Sequence, residues 1–129
     1  MTHFLLVALG GALGAGSRHL VNQAALRWVG PGFPVGTLTV NILGSLAMGL
    51  LIGWLAARTS PGGTGAGLRL FLATGVLGGF TTFSAFSLDV VFLWERGQPM
   101  AALGYAAVSV AASLVALLAG LWGMRALAG

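Results

Sequence analysis

Apolar residues dominate four long stretches of the chain, and each stretch ends at polar or helix-breaking residues. The first runs roughly from His3 to Leu26, before breakers at Pro31, Gly32 and Pro34. The second runs from Val35 to Ala57, and Arg58 to Gly67 then forms a loop rich in Gly, Ser and Thr. The third spans Leu68 to Trp94 and turns at Glu95 to Pro99. The fourth covers Met100 to Leu121 and ends near Arg125. Each stretch reaches the roughly 20 apolar residues that an α-helix needs to cross a bilayer. The pattern predicts an all-α membrane protein of four transmembrane helices, in one domain over residues 1–129. The first apolar run has no Lys or Arg before it, so a retained first helix is expected rather than a cleaved signal.

The third stretch differs from the others at its centre. Gly78-Gly79-Phe80-Thr81-Thr82-Phe83-Ser84-Ala85-Phe86-Ser87 places two adjacent glycines and four hydroxyls inside an apolar span. These are poor helix residues, so a break at the middle of the third helix is expected. A break at membrane depth persists only when it is buried in protein or lines a cavity. Its freed carbonyls are hard oxygen ligands suited to an alkali cation. The alternative is a glycine kink whose hydroxyls bond back to their own helix.

Other polar positions share helix faces. Thr37 and Asn41 lie one turn apart in the second stretch, and the buried amide can serve as helix-to-helix glue or as a neutral anion donor. Tyr105, Ser109 and Ser113 form a hydroxyl ladder about 12 Å long on the fourth. Each serine has the alternative of bonding the carbonyl four residues back. Phe83 and Phe86 sit three apart, just after the expected break. They are either packing groups or rings whose electropositive edges face an anion. Arg18 is either a snorkelling anchor or an inward charge that attracts anions. Asp89 and Glu95 are expected at the interfaces, which leaves donors and no carboxylate at mid-membrane. Donor-lined paths suit anions, whereas cation channels use acidic or carbonyl rings.

Composition narrows the reading further. Only six basic and two acidic residues occur among 129, far below what a soluble surface requires. The net charge of +4 comes from scattered arginines without a basic stripe, so nucleic acid is not an expected partner. With no cysteine there is neither a disulfide framework nor a thiolate metal site. No nucleophile lies beside a base, so no enzyme activity is expected. The 22 glycines suit close helix packing in lipid, with Gly10/Gly14 and Gly49/Gly53 at GxxxG spacing. Arg58, Arg69 and Arg125 fall on one side of the membrane, with Arg27 and Arg96 on the other, joined by Arg18 if it snorkels there. Such near balance sets no firm orientation. A chain inserted both ways could form an antiparallel dimer with itself.

Gly36-Thr37-Leu38-Thr39-Val40-Asn41-Ile42-Leu43-Gly44-Ser45, together with the broken-helix motif above, resembles the Fluc (CrcB) family of fluoride channels. Gly10-Gly11-Ala12-Leu13-Gly14-Ala15 with Arg18 is similar too. The resemblance implies a dual-topology antiparallel homodimer in a prokaryotic plasma or inner membrane, passively exporting fluoride and relieving its toxicity. It also implies a central, non-transported sodium ion held by the Gly78 and Thr81 carbonyls. The fluoride pathway would comprise Thr37, Asn41, Phe83, Phe86, Tyr105, Ser109 and Ser113, with Arg18 as a possible vestibule charge. Ala85 departs from the Thr common in the family. A small multidrug-resistance-type exporter also has four helices, but it carries a membrane-embedded Glu in its first helix that this chain lacks.

Overall fold

A computed structural model describes residues 1–58 and 65–128. Four helical spans account for nearly all of it: Thr2–Trp28, Val35–Arg58, Ala66–Glu95 and Pro99–Ala128. Each is long and apolar enough to cross a bilayer. Many large apolar side chains, among them Leu13, Leu20, Val115 and Trp122, lie on the outside. That inverted distribution marks a multi-pass membrane protein, whose natural solvent is lipid. The first and fourth spans run a few residues beyond the limits read from hydropathy, because a helix continues through interfacial residues such as Arg27 and Arg125.

The third span is built from unlike pieces. After one α-turn at Ala66–Arg69, residues Leu70–Leu77 wind as a π-helix, and Gly78–Phe80 adds a short α-helical end. Thr81 (φ −83°, ψ 158°) and Thr82 (φ −152°, ψ 124°) are then extended. Helix resumes at Phe83–Glu95. The expected mid-span break is therefore present, at the Thr81–Thr82 peptide. The π-winding before it was not anticipated, since hydropathy periodicity does not distinguish 3.6 from about 4.4 residues per turn over eight apolar residues.

Packing explains where the break falls. The first half of the third span lies along the first span, and its second half lies along the fourth. The second and fourth spans form the most extensive pair. The third span thus changes partner at its break. Both pairs are held at backbone contact by glycine. A Cβ on Gly14 would fall on the Val76 carbonyl, and one on Gly49 or Gly120 would fall on the facing backbone of the other helix. Such approach replaces the hydrophobic drive that lipid does not supply.

The loop expected over Arg58 to Gly67 lies largely outside the described residues, whereas the turn between the last two spans is short and closed. At the end of the third, Gly97 takes a left-handed φ of 79°. Its N–H bonds Trp94 O (3.1 Å) and that of Gln98 bonds Leu93 O (3.0 Å). This is the Schellman pattern, and Pro99 then starts the next helix. Phe86, Leu93, Ala102 and Tyr105 form a small apolar core between the last two spans.

Candidate functional site

One amide holds the break together. The Asn41 Nδ2 donates to Thr82 O (3.0 Å), and Thr82 N–H donates to Asn41 Oδ1 (2.8 Å). The second span therefore satisfies both backbone groups of an extended residue that no helix serves. Thr82 also caps the resumed helix, its Oγ1 accepting from Ala85 N–H at 3.2 Å. Thr81 closes the other side by donating its hydroxyl to Leu77 O (2.9 Å).

These bonds change the status of two carbonyls. In a continuous α-helix, Gly78 O would pair with Thr82 N–H and Thr81 O with Ala85 N–H. Those two N–H groups go instead to Asn41 Oδ1 and Thr82 Oγ1. The Gly78 and Thr81 carbonyls thus lose their helical partners, and an uncharged oxygen donor set of this kind fits a hard alkali cation. Among the described residues there is no cluster of His, Asp or Glu that offers a metal site of another kind.

Beside the break lies a half-open groove of about 380 Å³. Its walls are largely apolar, with Met48, Val110, Leu114 and Leu117 beside Phe83 and Phe86, and Asn41, Ser45, Thr81, Thr82, Ser109 and Ser113 set polar groups among them. Ser109 is 4% exposed, and its Oγ has no hydrogen-bond partner. Asn41 spends one N–H on Thr82, so its amide retains a second donor. Phe86 is buried, whereas Phe83 is 75% exposed, with ring centroids 5.5 Å apart. Phe83 therefore stands on the open side of the groove.

A second cavity of about 320 Å³ opens at the end of the bundle carrying the loop between the first two spans. Asn22, Phe33, Thr37, Asp89 and Arg96 line it. Thr37 therefore faces a different cavity from Asn41, although one turn separates them. Tyr105 lies buried in the core, and its hydroxyl donates to Asp89 Oδ2 at 3.0 Å.

The sequence-derived residues are thus distributed unevenly. Asn41, Phe83, Phe86, Ser109, Ser113 and Thr81 meet at the groove. Thr37 lies at the second cavity, and Tyr105 is buried in the core. Arg18 lines neither cavity. It is half-buried on the first span, with an Nε that has no hydrogen-bond partner. Asp89, expected at an interface, is half-buried at the loop-end cavity and accepts a hydrogen bond from Tyr105. Of the ladder on the fourth span, Ser109 and Ser113 line the groove, while the Tyr105 hydroxyl donates to Asp89. Thr82 was overlooked as an individual residue. Its signal was legible as a threonine three residues before Ala85, at the start of a helix.

Residues 5–121 match the family described as CrcB-like protein, Camphor Resistance (CrcB). The chain belongs to this family. A protein of Mesorhizobium japonicum named fluoride-specific ion channel FluC is 57% identical over 98% of this chain and 99% of its own length. One of the same name from a Chelativorans species is 58% identical over the same shares. A third, from Paracoccus denitrificans, is 59% identical over 92% of this chain and 90% of its own. Membership extends over both halves of the broken span, so the break and its clamp lie within the matched region.

Proposed function

We propose that this CrcB-family chain is the subunit of a fluoride-selective ion channel that lets fluoride leave the cell passively. The observation that carries the reading is the near-complete match to relatives named fluoride-specific ion channels. The groove supports it chemically. Fluoride is small and strongly hydrated, so a path must replace water with donors without trapping the ion on a fixed charge. The spare Asn41 N–H and the Ser109 and Ser113 hydroxyls offer neutral donors from the second and fourth spans. The positive ring edges of Phe83 and Phe86 would supply the rest.

The working unit in this proposal is an antiparallel homodimer inserted in both orientations in the cell membrane. Two features support it: the groove is open on its outer side beside exposed Phe83, and the arginines are shared nearly evenly between the two ends. A second copy would close the groove and take the ring out of lipid. A sodium ion held by the Gly78 and Thr81 carbonyls would bring fixed positive charge to the junction and stay there. Thr37 would line the approach from the loop end, with Tyr105 buried behind it and Arg18 as a remote attracting charge. Conduction of this kind calls for no enzyme chemistry. A multidrug exporter is not favoured, because the first span has no acidic residue.

The test is efflux from liposomes containing the purified protein. Fluoride is expected to leave rapidly and chloride scarcely at all. Equal efflux of both ions, or none of either, would overturn the assignment.

A further inference from the structure

Tyr105 stands between the groove and the loop-end cavity. Its hydroxyl bonds Asp89, which lines the loop-end cavity. Its ring packs on Phe86, which lines the groove, with centroids 5.3 Å apart. A third group holds the same ring. Phe33, from the loop between the first two spans, meets it edge to face at 5.5 Å and 87°. Phe33 also lines the loop-end cavity.

We propose that Phe33 is a positioning residue that sets anion selectivity by fixing the Tyr105 ring between the two cavities. The inference rests on the fluoride pathway proposed above. A narrow passage discriminates by size only if its wall does not yield. Tyr105 has two side-chain torsions, and the Asp89 bond tethers only its tip. The Phe86 ring lies against it at a tilt of 43°, a contact that one helix pair provides. Phe33 adds a nearly perpendicular contact from a different segment, which opposes a swing of the ring toward the loop-end cavity.

The loop is built to hold Phe33 still. Pro31 and Pro34 fix φ on either side of the Gly32-Phe33 pair. Gly30 enters with a left-handed φ of 97°, and its N–H returns to Ala25 O at 3.2 Å. The Val35 N–H closes on Phe33 O at 2.8 Å. The ring is therefore delivered by a constrained turn rather than by a loose connection.

The chain has a single tyrosine, so ring-labelled tyrosine gives one reporter for this position by NMR. Fluoride and chloride efflux and the tyrosine signal are compared in the reconstituted full-length protein and in Phe33→Ala, Phe33→Leu and Phe33→Trp. The alanine variant is expected to lower the fluoride-to-chloride ratio about tenfold, the loss of one well-packed aromatic pair. Its tyrosine signal should shift and broaden. Tryptophan restores both readouts, because it again offers an aromatic edge. Leucine fills the loop without that edge and gives the alanine result, so it decides the matter if alanine fails to assemble. A wild-type ratio in an assembled alanine or leucine variant overturns the role of Phe33. So does an equal fall in both fluxes with an unmoved tyrosine signal. Failure of the wild-type protein to select fluoride would instead overturn the channel reading itself.

Discussion

Asn41 serves the backbone of Thr82 with both ends of its amide, and that double use makes it hard to replace. Asn41→Ala leaves the Thr82 N–H and C=O without partners in a part-buried site. Leaving buried polar groups unpaired costs about 1–3 kcal/mol each. The variant is expected to lose most fluoride efflux and to lower the assembly's thermal midpoint, read by detergent-solubilised size exclusion after heating. Wild-type efflux and midpoint together would show that the clamp is dispensable. Phe83 allows a cleaner test of ring chemistry, because its exposure means that the isolated subunit loses little packing when it changes. Phe83→Ile keeps apolar bulk but has no positive rim. Efflux at equal protein content is expected to fall at least about tenfold, and undiminished efflux would reduce the ring to a packing group. Residue identity made Asn41 and Phe83 conspicuous in the sequence. It did not show that the amide binds backbone, because its partner lies 41 residues away.

Among the elements, the third span depends on the first. Gly14 meets Val76 O and Phe80 N, whereas a Cβ at Gly11 would meet nothing. Gly14→Val should therefore push the first span off the π-wound half and abolish stable assembly, while Gly11→Ala behaves as wild type. Monodispersity on size exclusion separates the two. Indistinguishable profiles would mean that the close approach is not required. Glycine spacing announced helix packing in general terms. It did not announce which helices pair, and the first-to-third and second-to-fourth arrangement follows from contacts that no local pattern encodes. The π-winding belongs to the same class, since its cause lies in the neighbouring helix and in the break that follows.

For the whole molecule, the near-even distribution of arginine leads to a prediction about insertion. The chain has no cysteine, so Ala126→Cys provides a unique label near the C-terminus. In sealed vesicles, a membrane-impermeant maleimide is expected to reach about half of the sites, with the rest labelled only after the membrane is opened. Labelling from one face alone would overturn the antiparallel dimer. The same assembly would cover the half-open groove, whose Asn41, Ser109 and Ser113 are costly to leave facing lipid.

The sequence by itself determined the solvent, the number of spans and the position of the break. Those properties depend on local hydropathy and on local helix propensity, which are written residue by residue. It also marked most of the groove residues, because a polar side chain in an apolar span is conspicuous wherever it points. Only the tertiary structure decided which polar groups are already spent. Asn41 gives its oxygen and one N–H to Thr82, and Tyr105 is committed to Asp89. It also decided that Thr37 and Asn41 face different cavities and that Phe33 reaches Tyr105. Hydrogen bonds and ring contacts of this kind join residues far apart in the chain, and their pairing is fixed only when the helices choose their neighbours.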